Sequence, residues 1–105
     1  MSSEIPFVEE NGKVDHQDIT VYALSTCGFC RRGLQFLRDR QVKFRYVYVD
    51  KIPYEVKNDL KVKLQEKFQR RVAFPFVVIN DERALVGFVQ REWEEIIKFN
   101  IKWEK

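Results

Sequence analysis

The sequence contains few of the residues that hold a small protein together by covalent or metal bonds. It has two cysteines and one histidine among 105 residues. Two cysteines form one bridge at most, which excludes the multi-bridge framework of a small secreted domain. A structural zinc site usually has four ligands, and Cys27, Cys30 and His16 supply only three. We therefore expect no metal site within the chain.

Long apolar runs and an excess of one charge are also absent. Residues 1–6 carry neither a basic nor an apolar segment of the kind found in a secretory signal, and no apolar run approaches the length of a bilayer. The 19 Lys and Arg against 16 Asp and Glu leave a net charge of +3, which is too small to indicate a nucleic-acid surface. We expect a cytoplasmic protein with no nucleic-acid or membrane partner.

The apolar pattern after residue 18 predicts one domain in which strands and helices alternate. The predicted strands cover residues 19–24, 44–49, 76–79 and 84–88, and the predicted helices contain residues 31–40, 53–68 and 93–101. Helical crossovers join parallel strands, whereas the short turn at residues 80–82 joins antiparallel ones. The order β-α-β-α-β-β-α therefore predicts an α/β fold with a mixed four-stranded sheet flanked by helices.

Residues 1–18 show no clear pattern. Asn11-Gly12 favours a tight turn between two short apolar stretches, which suits a small hairpin. Glu9 and Glu10 interrupt the alternation of apolar and polar residues, which suits a flexible arm instead. Both interpretations stay open, and we divide the chain into an N-terminal extension, residues 1–18, and a domain, residues 19–105.

The two cysteines form a C-x-x-C motif, Cys27-Gly28-Phe29-Cys30, between the first predicted strand and the first predicted helix. Such a pair at a strand-to-helix junction favours a redox function. A helix start directs free N–H groups and the positive end of the helix dipole at Cys27, which stabilises its thiolate. Cys30 shares the apolar stripe of Leu34 and Leu37, which predicts a less exposed and protonated thiol.

This asymmetry predicts the chemistry of the pair. Cys27 attacks a substrate disulfide, Cys30 releases the reduced product, and an external donor reduces the resulting Cys27–Cys30 disulfide. Phe29 offers a partly exposed apolar contact for a partner. Arg31 and Arg32 either add positive potential beside the sulfur or are simply solvated, as arginine usually is.

Three motifs together resemble the glutaredoxin branch of the thioredoxin fold. They are Ser-Thr-Cys-Gly-Phe-Cys at residues 25–30, Ala-Phe-Pro-Phe at 73–76 and Val-Gly-Phe at 86–88, and the resemblance spans residues 19–100. It implies a dithiol–disulfide oxidoreductase with a redox-active Cys27–Cys30 pair. It also implies a cis peptide bond at Pro75 that presents the backbone of Phe74 to an extended substrate. Gly87 then either permits close approach of a bound thiol peptide or marks a bulge at a strand end.

The sequence departs from the glutaredoxins that use glutathione. Those carry two adjacent glycines followed by acidic residues, whereas residues 86–90 here are Val-Gly-Phe-Val-Gln. A lysine common just before the C-x-x-C is also absent. We therefore expect no bound cofactor, and a protein disulfide or a low-molecular-weight disulfide as substrate. Either glutathione or a protein reductase is the electron donor, and the protein is expected to be a monomer.

The resemblance leaves a second hypothesis open. Cys-Gly-Phe-Cys is similar to the Cys-Gly-Phe-Ser motif of glutaredoxins that carry a [2Fe–2S] cluster across a dimer, with glutathione supplying the other ligands. A cluster carrier, or a redox-gated binding module, is therefore the alternative to an enzyme. Cys30 discriminates between them, because turnover requires it and cluster binding does not.

Overall fold

A computed structural model describes the backbone of residues 5–103 and the side chains as far as residue 97. Residues 1–4 of the predicted extension and the side chain of Ile101 lie outside the described part. The elements are β1 (Val8–Glu10), β2 (Ile19–Ala23), α1 (Gly28–Asp39), β3 (Phe44–Tyr48), α2 (Tyr54–Phe68), β4 (Phe76–Ile79), β5 (Arg83–Val86) and α3 (Gln90–Trp103). A short 3₁₀ turn, Val49–Lys51, follows β3.

The strands form one mixed sheet in the order β1-β3-β2-β4-β5. The pair β2–β3 is parallel and the other three pairs are antiparallel. The four predicted strands and the α/β fold class are confirmed.

The predicted number of strands is wrong, because the sheet within residues 5–103 has five strands and not four. The additional strand, β1, lies within the predicted extension and pairs with β3, with Val8 opposite Tyr46. It is three residues long, so its own sequence pattern is weak. Arg38 of α1 holds it in place through two hydrogen bonds of 2.9 and 2.7 Å to the carboxylate of Glu10.

The sheet has a hydrophobic core on each face, because successive residues of a strand point to opposite sides. On one face, Val21 of β2 packs in a core with Leu34 of α1 and Trp93 of α3. On the other face, Tyr22 of β2 packs in a core with Leu60 of α2. All five residues of β2 are buried. The end of this central strand, from which the C-x-x-C motif follows, is thereby held between two packed layers.

None of the helices in the described range, residues 5–103, is both long and apolar enough to span a bilayer.

Candidate active site at the C-x-x-C turn

Cys27 begins helix α1 as its N-cap residue. Its backbone is extended, with φ −96° and ψ 120°, and its Sγ accepts a hydrogen bond from the N–H of Cys30 at 3.1 Å. The N–H of Cys27 itself donates to the carbonyl oxygen of Leu24 at 3.2 Å. The sulfur therefore takes the place that a serine or aspartate oxygen usually has at a helix start. It lies at the positive end of the helix dipole and is half-buried.

Cys30 is buried in the core, with 1% of its surface exposed. The predicted burial of this residue is confirmed. Burial raises the pKa of the Cys30 thiol to about 12, and the hydrogen bond with Cys27 adds to the increase. Near neutral pH Cys30 is then almost entirely protonated. Both cysteines are free thiols, and residues three apart on a helix face each other, so the pair is placed to form a disulfide.

Pro75 lies beside the end of β2 that leads to the cysteines, because Phe76 stands opposite Tyr22 in the sheet. The Phe74–Pro75 peptide bond is cis, as the resemblance implies. Pro75 is buried, and its carbonyl oxygen accepts a 2.7 Å hydrogen bond from the N–H of Gly87.

Gly87 follows β5 with a left-handed backbone, φ 81°. A residue with a Cβ rarely adopts this backbone conformation, which explains why a glycine occupies position 87. Apart from its two neighbours in the chain, no residue has an atom within 4 Å of the position that a Cβ would occupy, so space is open in front of Gly87. Its carbonyl oxygen accepts a 3.1 Å hydrogen bond from the indole N–H of Trp93. The end of β5 is thus tied to both the Pro75 loop and helix α3.

Phe29 points away from the protein on the first turn of α1. Its side chain is 60% exposed, and the guanidinium of Arg32 lies 5.4 Å from the centre of its ring. The structure therefore brings Cys27 into contact with Cys30 and Pro75 into contact with Gly87, while Phe29 stands outside both pairs.

The sequence analysis did not predict the position of Asp50, which holds the loop before Cys27. One carboxylate oxygen accepts a 2.9 Å hydrogen bond from the N–H of Ser25, and the other accepts a 2.6 Å bond from the hydroxyl of Ser25. These bonds lower the pKa of Asp50, the hydroxyl bond having the larger effect. A signal was available, because the carboxyl ends of parallel β2 and β3 meet at one edge of the sheet.

Helices α1 and α3 approach each other closely where Gly33 of α1 meets Trp93 of α3. A Cβ on Gly33 would come within 2.6 Å of Cη2 of Trp93, so only a glycine fits under the indole ring. Trp93 itself is buried in the core, with 1% of its surface exposed.

No group of three or more His, Cys, Asp or Glu side chains in the described part of the chain is arranged to hold a metal ion.

Comparison with known proteins gives the same family as the residues do. The glutaredoxin family model matches residues 19–84. A glutaredoxin from Methanosarcina mazei Go1 is 35% identical, with 87% of this chain and 86% of that chain covered and a TM-score of 0.76. Methanoredoxin from Methanosarcina acetivorans is 36% identical, with 82% and 88% covered and a TM-score of 0.74.

A more distant glutaredoxin, from Archaeoglobus fulgidus, is 29% identical, with 76% of this chain and 85% of that chain covered and a TM-score of 0.67. The search of curated proteins found no match. The family model covers more than half of the chain, and its matched residues contain both cysteines and the Phe74–Pro75 bond. The chain belongs to the glutaredoxin family.

Proposed function

We propose that the protein is a dithiol–disulfide oxidoreductase that reduces disulfides through Cys27 and Cys30. The observation that carries the proposal is the asymmetry of the two thiols. The Sγ of Cys27 is half-buried at a helix start and accepts the N–H of Cys30 at 3.1 Å. Cys30 is buried, and its pKa is about 12. The thiol of Cys27 is accessible to a substrate, whereas the thiol of Cys30 is protonated in the resting protein.

The first step is attack by the thiolate of Cys27 on one sulfur of a substrate disulfide. A bond forms between Cys27 and that sulfur, the substrate S–S bond breaks, and the leaving thiolate takes a proton from water. The backbone N–H and the positive helix end stabilise negative charge on the sulfur of Cys27 before the attack.

The second step releases the remaining half of the substrate. Cys30 loses its proton to solvent and attacks the sulfur of Cys27, which expels the second substrate thiolate. Two electrons have then passed from the cysteine pair to the substrate, and the pair is a Cys27–Cys30 disulfide. An external thiol, either glutathione or a protein reductase, returns the two electrons.

Substrate binding in this proposal uses the surface around Cys27. The open space in front of Gly87 and the backbone at Phe74 suit an extended peptide or a small disulfide. Val89 is 42% exposed and Gln90 is exposed and neutral, where glutathione-using members carry acidic residues. A pair that cycles between thiol and disulfide works in a reducing compartment, so the proposal places the protein in the cytoplasm.

The test uses two cysteine variants and two electron donors. Reduction of insulin is measured separately with glutathione and with a thioredoxin-reductase-type donor, which identifies the reductant. Cys30→Ser is expected to accumulate a mixed disulfide between Cys27 and the substrate, visible by mass spectrometry. Cys27→Ser should neither form an adduct nor turn over. Undiminished turnover by Cys27→Ser would overturn the proposal.

The alternative, a [2Fe–2S] carrier, fits these residues poorly. A cluster needs thiolate ligands, whereas Cys30 is buried and its raised pKa keeps the thiol protonated. One chain then offers the single accessible thiol of Cys27, so two chains supply half of a ligand set. Glutathione supplies the other half in the glutaredoxins that carry a cluster, and here the uncharged Val89 and Gln90 stand where glutathione-using members have acidic residues. We derive no step through a cluster.

A further inference from the structure

The first turn of α1 carries an exposed positive surface beside the nucleophile. Arg31 and Arg32 are both exposed, and the adjacent side chain of Phe29 is 60% exposed. No acidic residue stands in this turn. We name these three residues, Phe29, Arg31 and Arg32, the α1 surface.

The arginines of the α1 surface differ from those at the other end of the same helix. Arg38 forms an ion pair of 2.7 Å with Glu10, and Arg40 forms one of 2.7 Å with Glu94. Within the described residues, the guanidinium groups of Arg31 and Arg32 make neither a hydrogen bond nor an ion pair. The cation–π contact of Arg32 with Phe29 orients the guanidinium but leaves its charge uncompensated.

One carboxylate lies close to the cysteines. Asp50 accepts two hydrogen bonds from Ser25, in the loop before Cys27, but the side chains of Arg31 and Arg32 form no ion pair with it. Val89 and Gln90, at the start of α3, are exposed and uncharged. A substrate that approaches Cys27 therefore meets a positive surface with an aromatic ring in it.

We propose that the α1 surface selects peptide and protein disulfides in which acidic residues flank the half-cystine. This inference rests on the proposed function. Substrate carboxylates pair with Arg31 and Arg32, and an apolar substrate side chain lies on the ring of Phe29. Exposed ion pairs are individually weak, so two of them favour an acidic over a basic substrate by about fivefold at low salt. Because exposed charges are screened, the preference falls as salt is added.

The experiment measures one chemical step with two matched peptides. Each peptide contains one cysteine linked to 2-thiopyridine, flanked by aspartates in one peptide and by lysines in the other. Attack of reduced protein on the peptide sulfur breaks the S–S bond and releases thiopyridone, which is followed by absorbance. Single-turnover rates need no external reductant. The result is the ratio of the rate with the acidic peptide to the rate with the basic peptide. The same ratio measured with dithiothreitol, an uncharged thiol, corrects for the intrinsic reactivity of each peptide.

Arg83→Glu is the control for Arg31→Ala combined with Arg32→Ala. Both proteins have a net charge of +1, by comparison with +3 for the natural chain. Arg83 lies opposite Ile79, at the end of the sheet far from Pro75. The double variant is expected to lose the preference for the acidic peptide, and Arg83→Glu is expected to keep most of it. Replacing both Arg31 and Arg32 by lysine should also keep the preference for the acidic peptide.

Equal corrected rates for the two peptides with the natural protein would overturn the inference and leave the proposed function intact. An equal loss of preference in Arg83→Glu and in the double variant would also overturn it, because net charge would then be the cause. The proposed function fails by a different result, namely release of thiopyridone by Cys27→Ser as fast as by the natural protein.

Discussion

Replacing Asp50 tests whether a single carboxylate holds the loop that presents Cys27. Both of its oxygens accept hydrogen bonds from Ser25, at 2.9 Å from the N–H and 2.6 Å from the hydroxyl. Asp50→Ala removes both bonds, and Asp50→Asn removes the charge while keeping one acceptor oxygen. Because the bonded atoms of Ser25 lie two residues before Cys27, the change acts on the loop and leaves both thiols in the chain.

The magnitude follows from the number, charge and exposure of these bonds. A hydrogen bond to a charged group contributes about 1.5–3 kcal/mol when it is buried. Asp50 is exposed, so water replaces much of each lost bond. We expect Asp50→Ala to lower the free energy of unfolding by about 1 kcal/mol near neutral pH, and Asp50→Asn by about half as much.

The pH dependence of the effect has a definite sign. The bonds from Ser25 lower the pKa of Asp50 in the folded state. Its contribution to stability is therefore fully present above the unfolded value, about 3.9, and is lost as the pH falls through the lower folded value. The difference between the natural protein and Asp50→Ala should be constant at neutral pH and should narrow as the pH falls below about 4.

Urea denaturation at several pH values measures both the size and the sign. Asp59→Ala is the control, because Asp59 is an exposed carboxylate of α2 whose ion pair with Lys63, at 3.1 Å, contributes only about 0.3–0.5 kcal/mol. A loss in Asp50→Ala no larger than in Asp59→Ala would refute the reasoning. A loss that stays the same size at acidic pH would refute it as well.

The glycines support two further predictions, each measured as the free energy of unfolding in urea. Gly33→Ala places a Cβ within 2.6 Å of the ring of buried Trp93, so we expect a loss of about 1–3 kcal/mol; no change would show that the indole ring moves freely. Gly28→Ala is its control in the same helix, because it meets no atom within 4 Å, and its effect should stay within about 0.5 kcal/mol. Gly87→Ala also meets open space, but φ 81° should cost about 1 kcal/mol by backbone strain alone. A neutral Gly87→Ala would mean that the loop relaxes.

The features that the sequence predicted correctly depend on local patterns. The continuous apolar run at residues 76–79 predicted a buried strand. It forms strand β4, and all four of its residues are buried. The spacing of Cys30 and Leu34 placed the second cysteine on the apolar face of α1, where it is buried. Helix α1 begins at Gly28 and not at Arg31, because Cys27 caps it and the intervening residues complete its first turn.

The features that it did not predict depend on residues far apart in the chain. Strand β1 exists through its pairing with β3 and the ion pair between Glu10 and Arg38, which local alternation does not reveal. The bond between Ser25 and Asp50 joins residues 25 positions apart. Nor does the sequence show that Trp93 lies over Gly33, since that contact requires the packed arrangement of two helices.

The rates at which iodoacetamide alkylates each cysteine of the reduced protein near neutral pH test the central claim most directly. Peptide mass spectrometry resolves Cys27 from Cys30 and gives a rate for each. The asymmetry of burial predicts rapid labelling of Cys27 and almost none of Cys30, whose pKa is about 12, until the protein is unfolded. Labelling of both cysteines at the same rate, or of Cys30 first, would contradict the assignment of Cys27 as the nucleophile.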